Sequence, residues 1–358
     1  MKYKILAINP GSTSTKIAIF ENEKNIFLKN IKHSTDELKG FAKITDQYEF
    51  RKNTILNELK EAGLDINQIH CVMGRGGLNK PIPSGVYKVN EEMKNDMINS
   101  PFGEHASNLG ALIADDIAKN LDNVNAYIAD PVVVDELEDI ARVAGHPNFE
   151  RISIFHALNQ KATARRYARE TNQVYEEMNL IVAHLGGGIS VGAHRKGKVI
   201  DVNNALNGDG PFSPERSGTL PTAQLVSVCF SGKYTKEEIG LMIKGKGGLA
   251  AYLNTNDAYE VEMRAKEGDK KAQFISDAMA YQIAKEIGAC AAVLKGQVDA
   301  ILLTGGIAHN KQFCAFIDEM TSFIAPMKVY PGEDEMLALA MNGLMVLRGE
   351  LEPKEYKF

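Results

Sequence analysis

Residues 4–20 read KILAINPGSTSTKIAIF, and the fold turns on how this stretch is parsed. Lys4 to Ile8 is a short apolar run, Asn9 to Ser14 is a polar break, and Lys16 to Phe20 resumes the apolar pattern. That is strand, turn, strand. The same grammar returns about 175 residues later, roughly half the chain. There Leu180 to Leu185 runs into Gly186-Gly187-Gly188, Ile189 to Ala193 follows, and a turn at Lys196-Gly197-Lys198 leads to a third strand ending at Val202. The recurrence predicts two similarly built halves. Apolar residues recurring at three and four predict a helix over 106–121, a second over 153–171 follows the Pro147-Asn148 break, further helical stretches are read at 269–295, 310–324 and 335–348, and Val298 to Thr304 reads as a strand ending in Gly305-Gly306. Strands alternate with helices throughout, so the class is α/β.

At 358 residues the chain is long enough for two domains of roughly 150 each. Lys and Arg number 41 against 46 Asp and Glu, a formal charge of −5. There is no basic excess of the kind nucleic-acid binding needs. The four apolar residues before Asn9 are too few for a secretory core, and no run approaches the roughly 18 to 20 residues of a membrane span. Cys71, Cys229, Cys290 and Cys314 stand far apart, without a CxxC pair or a His at zinc-ligand spacing. A soluble, reduced, cytoplasmic protein is the expectation, with neither membrane nor nucleic acid as partner.

Asn9 to Lys16 packs three kinds of phosphate ligand into one turn: the Ser12 and Ser14 hydroxyls, backbone N–H groups freed by Gly11, and the Lys16 ammonium. The competing reading is a polar hairpin turn, though hairpin turns usually need only two to five residues. Gly186-Gly187-Gly188 removes every Cβ from a strand end, which lets backbone approach a ligand or simply bend. Gly305-Gly306-Ile307, between a strand and a helix, has the placement of a nucleotide site. Arg75, Asp130, His156 and Arg216 are isolated polar residues where strand-like runs end or glycine-rich loops begin. Singly, each is as well explained as a cap or a satisfied core group.

Two patterns are set aside. Gly188-Ile189-Ser190-Val191-Gly192 matches a GxSxG nucleophile elbow, but the elbow requires a helix next, and Val191 to Val202 reads as a hairpin. Gly192 to Lys198 and Gly240 to Lys246 fit GxxxxGK, yet Val199 and Gly247 stand where a Walker loop carries Ser or Thr.

Asn9-x-Gly-Ser-x-Ser-x-Lys16, Arg75, Phe155-His156, the turn at 184 to 188, Arg216-Ser217-Gly218, Gly305-Gly306-Ile307 and Glu335 before an apolar helix follow one another in order. On these residues the chain resembles, over nearly its whole length, the acetate and butyrate kinases of the actin-like, sugar-kinase-like ATPase superfamily. The resemblance implies an α/β fold of two actin-like (ribonuclease H-like) domains with mixed β-sheets flanked by helices and nucleotide in the cleft between them. Residues 1–152 plus 335–358 would form one domain and 153–334 the nucleotide-binding other, with the last helix returning to the first. It implies Mg2+ at Asn9 and Glu335, with Glu335 acting through water, and Ser12, Ser14 and Lys16 facing nucleotide phosphates. His184, Gly186, Gly187 and Gly188 with Gly305, Gly306 and Ile307 would hold ATP or ADP. Arg75 would bind the substrate carboxylate or the acyl phosphate, and His156 and Arg216 the transferring phosphoryl group, with Asp130 beside them. A homo-oligomer, dimer or higher, is implied likewise.

Departures from the acetate-kinase pattern point to the butyrate branch. Arg75 is followed by Gly76-Gly77 where acetate kinases are bulkier, which would leave room for a longer acyl tail, and Gly187 replaces an Asn. Asn256-Asp257-Ala258-Tyr259 stands where acetate kinases carry an Asp and an Arg. The implied activity is reversible phosphoryl transfer between ATP and butanoate, giving ADP and butanoyl phosphate. A kinase for isobutanoate, propanoate or acetate, and a non-catalytic ATP switch, are the alternatives. Two anions brought to about 4 Å repel by roughly 4 kcal/mol at an effective dielectric of 20, so fixed cations are required. Arg75 and Arg216 keep their charge and present forked donors to carboxylate or phosphoryl oxygens. A carboxylate is already ionised and needs no general base, so Asp130 is read as orienting an Arg or His.

Overall fold

A computed structural model describes residues 2–358. The chain forms two compact units, residues 1–134 with 334–358 and residues 135–333. The first contains β1 (Lys4–Pro10), β2 (Ser14–Glu21), β3 (Lys24–Lys32), β4 (Cys71–Arg75), β5 (Val86–Lys88), β6 (Asn125–Ala129) and, at the far end of the chain, β12 (Lys354–Glu355). They make one mixed sheet in the order β12-β5-β6-β4-β1-β2-β3. β1 pairs antiparallel with β2, so that Asn9 faces Lys16, and parallel with β4.

The apolar run of β1 is nearly continuous because both faces of the sheet are covered. Leu6, Ile8 and Val72 join one cluster with Leu109 and Ile113 of the helix Asn108–Lys119. On the other face Cys71 and Met73 meet the helix Glu335–Leu347 at Gly343, where a Cβ would come within 2.9 Å of both.

The second unit contains β7 (Asn179–Leu185), β8 (Ile189–Arg195), β9 (Lys198–Val202), β10 (Ala300–Gly305) and β11 (Met327–Pro331), in the order β11-β10-β7-β8-β9. Ile181, Ala183, Ile301 and Leu303 pack with Ile283 and Ile287 of the long helix Lys270–Val293. Alternate residues Leu180, Val182, Ala300 and Leu302 pack with Ala164 and Ala168 of the helix Ala157–Glu170. β8 continues into β9 without a helix, as the rejection of the nucleophile elbow requires.

Two boundaries differ from expectation. The units divide at 134/135, not 152/153, because the intervening residues are tied to the second sheet. Glu138 N–H donates to Ile200 C=O, and the Arg151 guanidinium pairs with Asp201 at 2.8 Å. The helix expected from residue 153 begins at Ala157, with His156 at its N-cap, since Ile154 C=O accepts from Ala205 N–H outside any helix. Among the described residues no helix is long and apolar enough to cross a membrane.

Candidate active site

In the first unit the loop after β1 is braced from beneath by a residue that apolar periodicity overlooks. Arg51, on the helix Tyr48–Glu61, is fully buried. Its guanidinium donates to the carbonyls of Gly11 (2.7 Å), Ser12 (3.0 Å) and Ser14 (3.0 Å), to Thr15 Oγ1 (3.1 Å) and to Gln47 Oε1 (2.7 and 3.0 Å). Burial pushes it down to about 10, which leaves it cationic at neutral pH. The loop therefore turns its carbonyls inward onto Arg51, and the Ser12 side is left exposed, as is Lys16. Arg51→Met strands those acceptors and is expected to cost about 3 kcal/mol. A thermal midpoint lower by about 6–12 °C is the readout.

Asn9, Arg75 and Glu335, 326 residues apart at the extreme, converge at the end of β1 and β4. Asn9 Nδ2 donates to Glu335 Oε2 at 2.5 Å, and Arg75 Nη1 forms an ion pair with Glu335 Oε1. Glu335 sits in the first turn of its helix, where Asp334 supplies the cap through Leu337 N–H (2.8 Å). One carboxylate and one amide oxygen suit a small hard cation that takes most of its ligands from water and phosphate. Among the described residues no three His, Cys, Asp or Glu side chains form a protein-only cage.

Asp130 lies at the end of β6 in a left-handed conformation, φ 39°. It accepts from Ser84 Oγ (2.6 Å) and Gly85 N–H (2.8 Å), while its own N–H donates to Gly85 C=O (3.1 Å). These bonds fix the Ser84-Gly85 turn within its own unit. The reading of Gly76-Gly77 as space for an acyl tail is corrected. A Cβ at Gly76 would lie 2.6 Å from Pro131 Cβ and one at Gly77 2.7 Å from Asn108 Cα, so protein atoms already fill that space.

The second unit gathers the glycine turns and the remaining polar candidates. The rings of His156 and His184 stack, with centroids 3.8 Å apart and planes at 12°. His184 Nδ1 bonds Asn159 Oδ1 at 2.9 Å, and Glu333 Oε2 lies 3.5 Å from His184 Nε2. A Cβ at Gly186 would reach 2.7 Å from His184 Nε2, and one at Gly188 would overlap Arg216 Nη1 and stand 3.2 Å from His156 Cε1. The triple glycine thus makes room for the guanidinium and the two rings. Arg216 donates from Nη1 to Ala205 C=O (2.7 Å), has Glu215 at 3.8 Å, and is pushed down by burial. Its buried Nε lacks any protein acceptor, which suits an anion at this spot.

A cavity of about 480 Å³ opens beside the turns, lined by Gly186, Gly187, Gly306 and Ile307 together with Asn256, Asp257, Tyr259, Glu262 and Phe313. Gly305 takes φ 93°, where a Cβ would overlap the Leu185 carbonyl. Asp257 is also the cap of the helix Ala258–Lys266, accepting from Tyr259 N–H at 2.9 Å. Tyr259 is exposed at the cavity wall.

Residues that sequence reasoning missed are Asn159, Gln160, His194 and Arg51, while Ser190 enters it only within the rejected nucleophile elbow. All are buried. A run of polar residues, Asn159-Gln160-Lys161, on a helix whose neighbours are buried is the signal that could have revealed the first two.

The acetokinase family matches residues 149–325. Butyrate kinase 2 of Clostridium acetobutylicum is 60% identical over 357 residues, covering 100% of both chains. Butyrate kinase 1 of the same organism is 57% identical over 355 residues, covering 99% of this chain and 100% of its own. Among solved structures, the acetate kinase of Porphyromonas gingivalis superposes with a TM-score of 0.78 at 19% identity, covering 96% of this chain and 100% of that one. This last likeness speaks for the fold, two mixed sheets flanked by helices in the actin-like manner. An identity of 60% running from end to end leaves no segment outside the relationship, and the chain belongs to the acetokinase family.

Proposed function

We propose that the chain catalyses reversible phosphoryl transfer between ATP and butanoate, giving ADP and butanoyl phosphate. The observation that carries this reading is the full-length identity of 60% and 57% to two butyrate kinases. The chemistry of the site agrees with it. The 480 Å³ cavity beside two glycine turns has the size and form for a nucleoside. His156, Arg216 and the backbone near Gly188 offer fixed donors to a phosphoryl group passing through a loose, anionic transition state. Arg75, one of whose Nη groups is held by Glu335, has further N–H donors for a carboxylate. No base is assigned, since the attacking oxygen is already ionised.

Asn9 and Glu335 are the residues that would hold Mg2+, which when bound neutralises phosphate oxygens. Ser12, Ser14 and Lys16 would face the phosphates from the loop that Arg51 braces. Asp130 would act through the Ser84-Gly85 turn it orders. A cytoplasmic location and a homo-oligomer, dimer or higher, belong to the same proposal.

The test is a hydroxylamine-trapped assay with MgATP across straight and branched C2 to C5 acids. A maximum of kcat/KM at butanoate is expected, with neighbouring acids lower by about 10-fold or more per methylene. A maximum at acetate would reassign the substrate. ATP binding without transfer to any acid would leave a nucleotide switch as the reading.

A further inference from the structure

The stacked pair of histidines rests on a chain of buried hydrogen bonds whose direction can be deduced from one atom. Ser190 C=O can only accept, and Gln160 Nε2 lies 3.0 Å from it. The amide of Gln160 must therefore turn its nitrogen toward Ser190 and its oxygen toward His194, whose Nε2 is 2.9 Å away. His194 then carries its hydrogen on Nε2, and its bare Nδ1 accepts from Tyr175 OH at 2.8 Å. Burial, with Lys161 and Arg165 nearby, keeps His194 neutral, consistent with that direction.

The second hydrogen on Gln160 Nε2 goes to Ser190 Oγ, 2.9 Å away. The backbone N–H of His156 addresses the same oxygen at 3.4 Å. With both lone pairs addressed, the Ser190 hydroxyl hydrogen is directed at His156 Nδ1, 2.9 Å away. We infer that Gln160, acting through Ser190, holds His156 with Nδ1 as acceptor and its hydrogen on Nε2. Gln160 and Ser190 are positioning residues. Gln160 and Ser190 are wholly buried, so water does not compete for these bonds.

The consequence for catalysis rests on the proposed kinase reading, in which His156 meets the transferring phosphoryl group. An Nε2–H is a donor to a phosphoryl oxygen, whereas the opposite tautomer would turn a lone pair toward it. The relay thus sets the sign of the imidazole's contribution before substrate arrives.

Two measurements on the full chain test this. The first is the two-bond nitrogen–proton spectrum of 15N-histidine-labelled protein, with His156 assigned by its disappearance in His156→Asn. Wild-type protein is expected to show Nε2–H at His156. Gln160→Glu replaces a donor by an acceptor of the same shape, draws the Ser190 hydroxyl to itself and is expected to move the hydrogen to Nδ1. The second is steady-state kinetics. Gln160→Glu should lose on the order of 10²-fold in kcat, the scale of one lost transition-state donor, with KM for ATP little changed. Ser190→Ala should lose less than Gln160→Glu, and Ser190→Thr, which keeps the hydroxyl, should retain most of the rate. Wild-type His156 protonated on Nδ1, or folded Gln160→Glu with an unaltered tautomer, would overturn the inference. If Gln160→Glu does not fold, an unchanged tautomer in Ser190→Ala together with an unchanged kcat overturns it. A wild-type chain without kinase activity would overturn the kinase reading alone, and the spectrum would still decide the tautomer.

Discussion

Arg75→Ala is expected to lower kcat/KM for butanoate on the order of 10³-fold while leaving the fold intact. The size follows from what is removed. A desolvated guanidinium facing a carboxylate is worth about 2–5 kcal/mol on truncation, and about 4 kcal/mol corresponds to that factor. A second effect adds to the first. Glu335 Oε1 loses its cation while Asn9 Nδ2 remains on Oε2, so a partly buried carboxylate is left with less compensation. Arg75→Lys keeps charge but not the fork, and an intermediate loss separates charge from geometry. The check is initial-rate kinetics with circular dichroism on each variant. A near wild-type rate for Arg75→Ala would remove this residue from the site.

Gly188→Ala is the second large effect, expected at 10²-fold or more in kcat. One methyl group suffices because the space it needs is taken by Arg216 Nη1, with His156 Cε1 at 3.2 Å. The guanidinium must swing away, breaking its bond to Ala205 C=O and leaving the anion position without its cation. Losing one fixed donor to a developing anion costs about 10²–10³ in rate. Gly187→Ala separates the two causes in kcat: a Cβ there meets no protein atom within 4 Å, and because Gly187 lines the nucleotide cavity its effect is expected in KM for ATP instead. Equal losses in both variants would show that the damage comes from backbone stiffening of the turn and not from displacement of Arg216.

Much of this was readable beforehand, for identifiable reasons. β1, β7 and β10 stand out as apolar runs because each is covered on both faces, and Asn9 or the glycines interrupt them where the chain leaves the sheet. The repeat of strand, turn, strand at half-chain spacing led directly to two α/β units. The helix Tyr48–Glu61 escaped notice because its buried face is Arg51, Ile55 and Leu59: an arginine occupies the place where a hydrophobe would announce the period. Gly76-Gly77 misled because a missing side chain can mean a cavity or a close approach, and only the positions of Pro131 and Asn108 distinguish the two. His156 was legible as an isolated polar residue, but its support was not. Ser190 lies 34 residues away, and its resemblance to a nucleophile elbow drew attention to attack rather than to orientation. The sequence makes Asp130 an orienting carboxylate for an Arg or His. The groups seen bonded to it are a serine hydroxyl and backbone from a turn 45 residues earlier, connections that no local pattern encodes.

The first unit is closed by the last residues of the chain. Tyr356 is fully buried, its hydroxyl donating to Asp96 Oδ2 at 2.6 Å and accepting from Lys80 N–H at 3.0 Å, and β12 completes the sheet against β5. During synthesis the ribosome must therefore deliver residues 135–333 before the amino-terminal sheet receives its covering helix. At about 5–20 residues per second that wait is roughly 10–40 s. Throughout it the face of the nascent sheet around Cys71 and Met73 lacks the helix that covers it in the folded chain, and apolar surface left open for that long favours association with other chains.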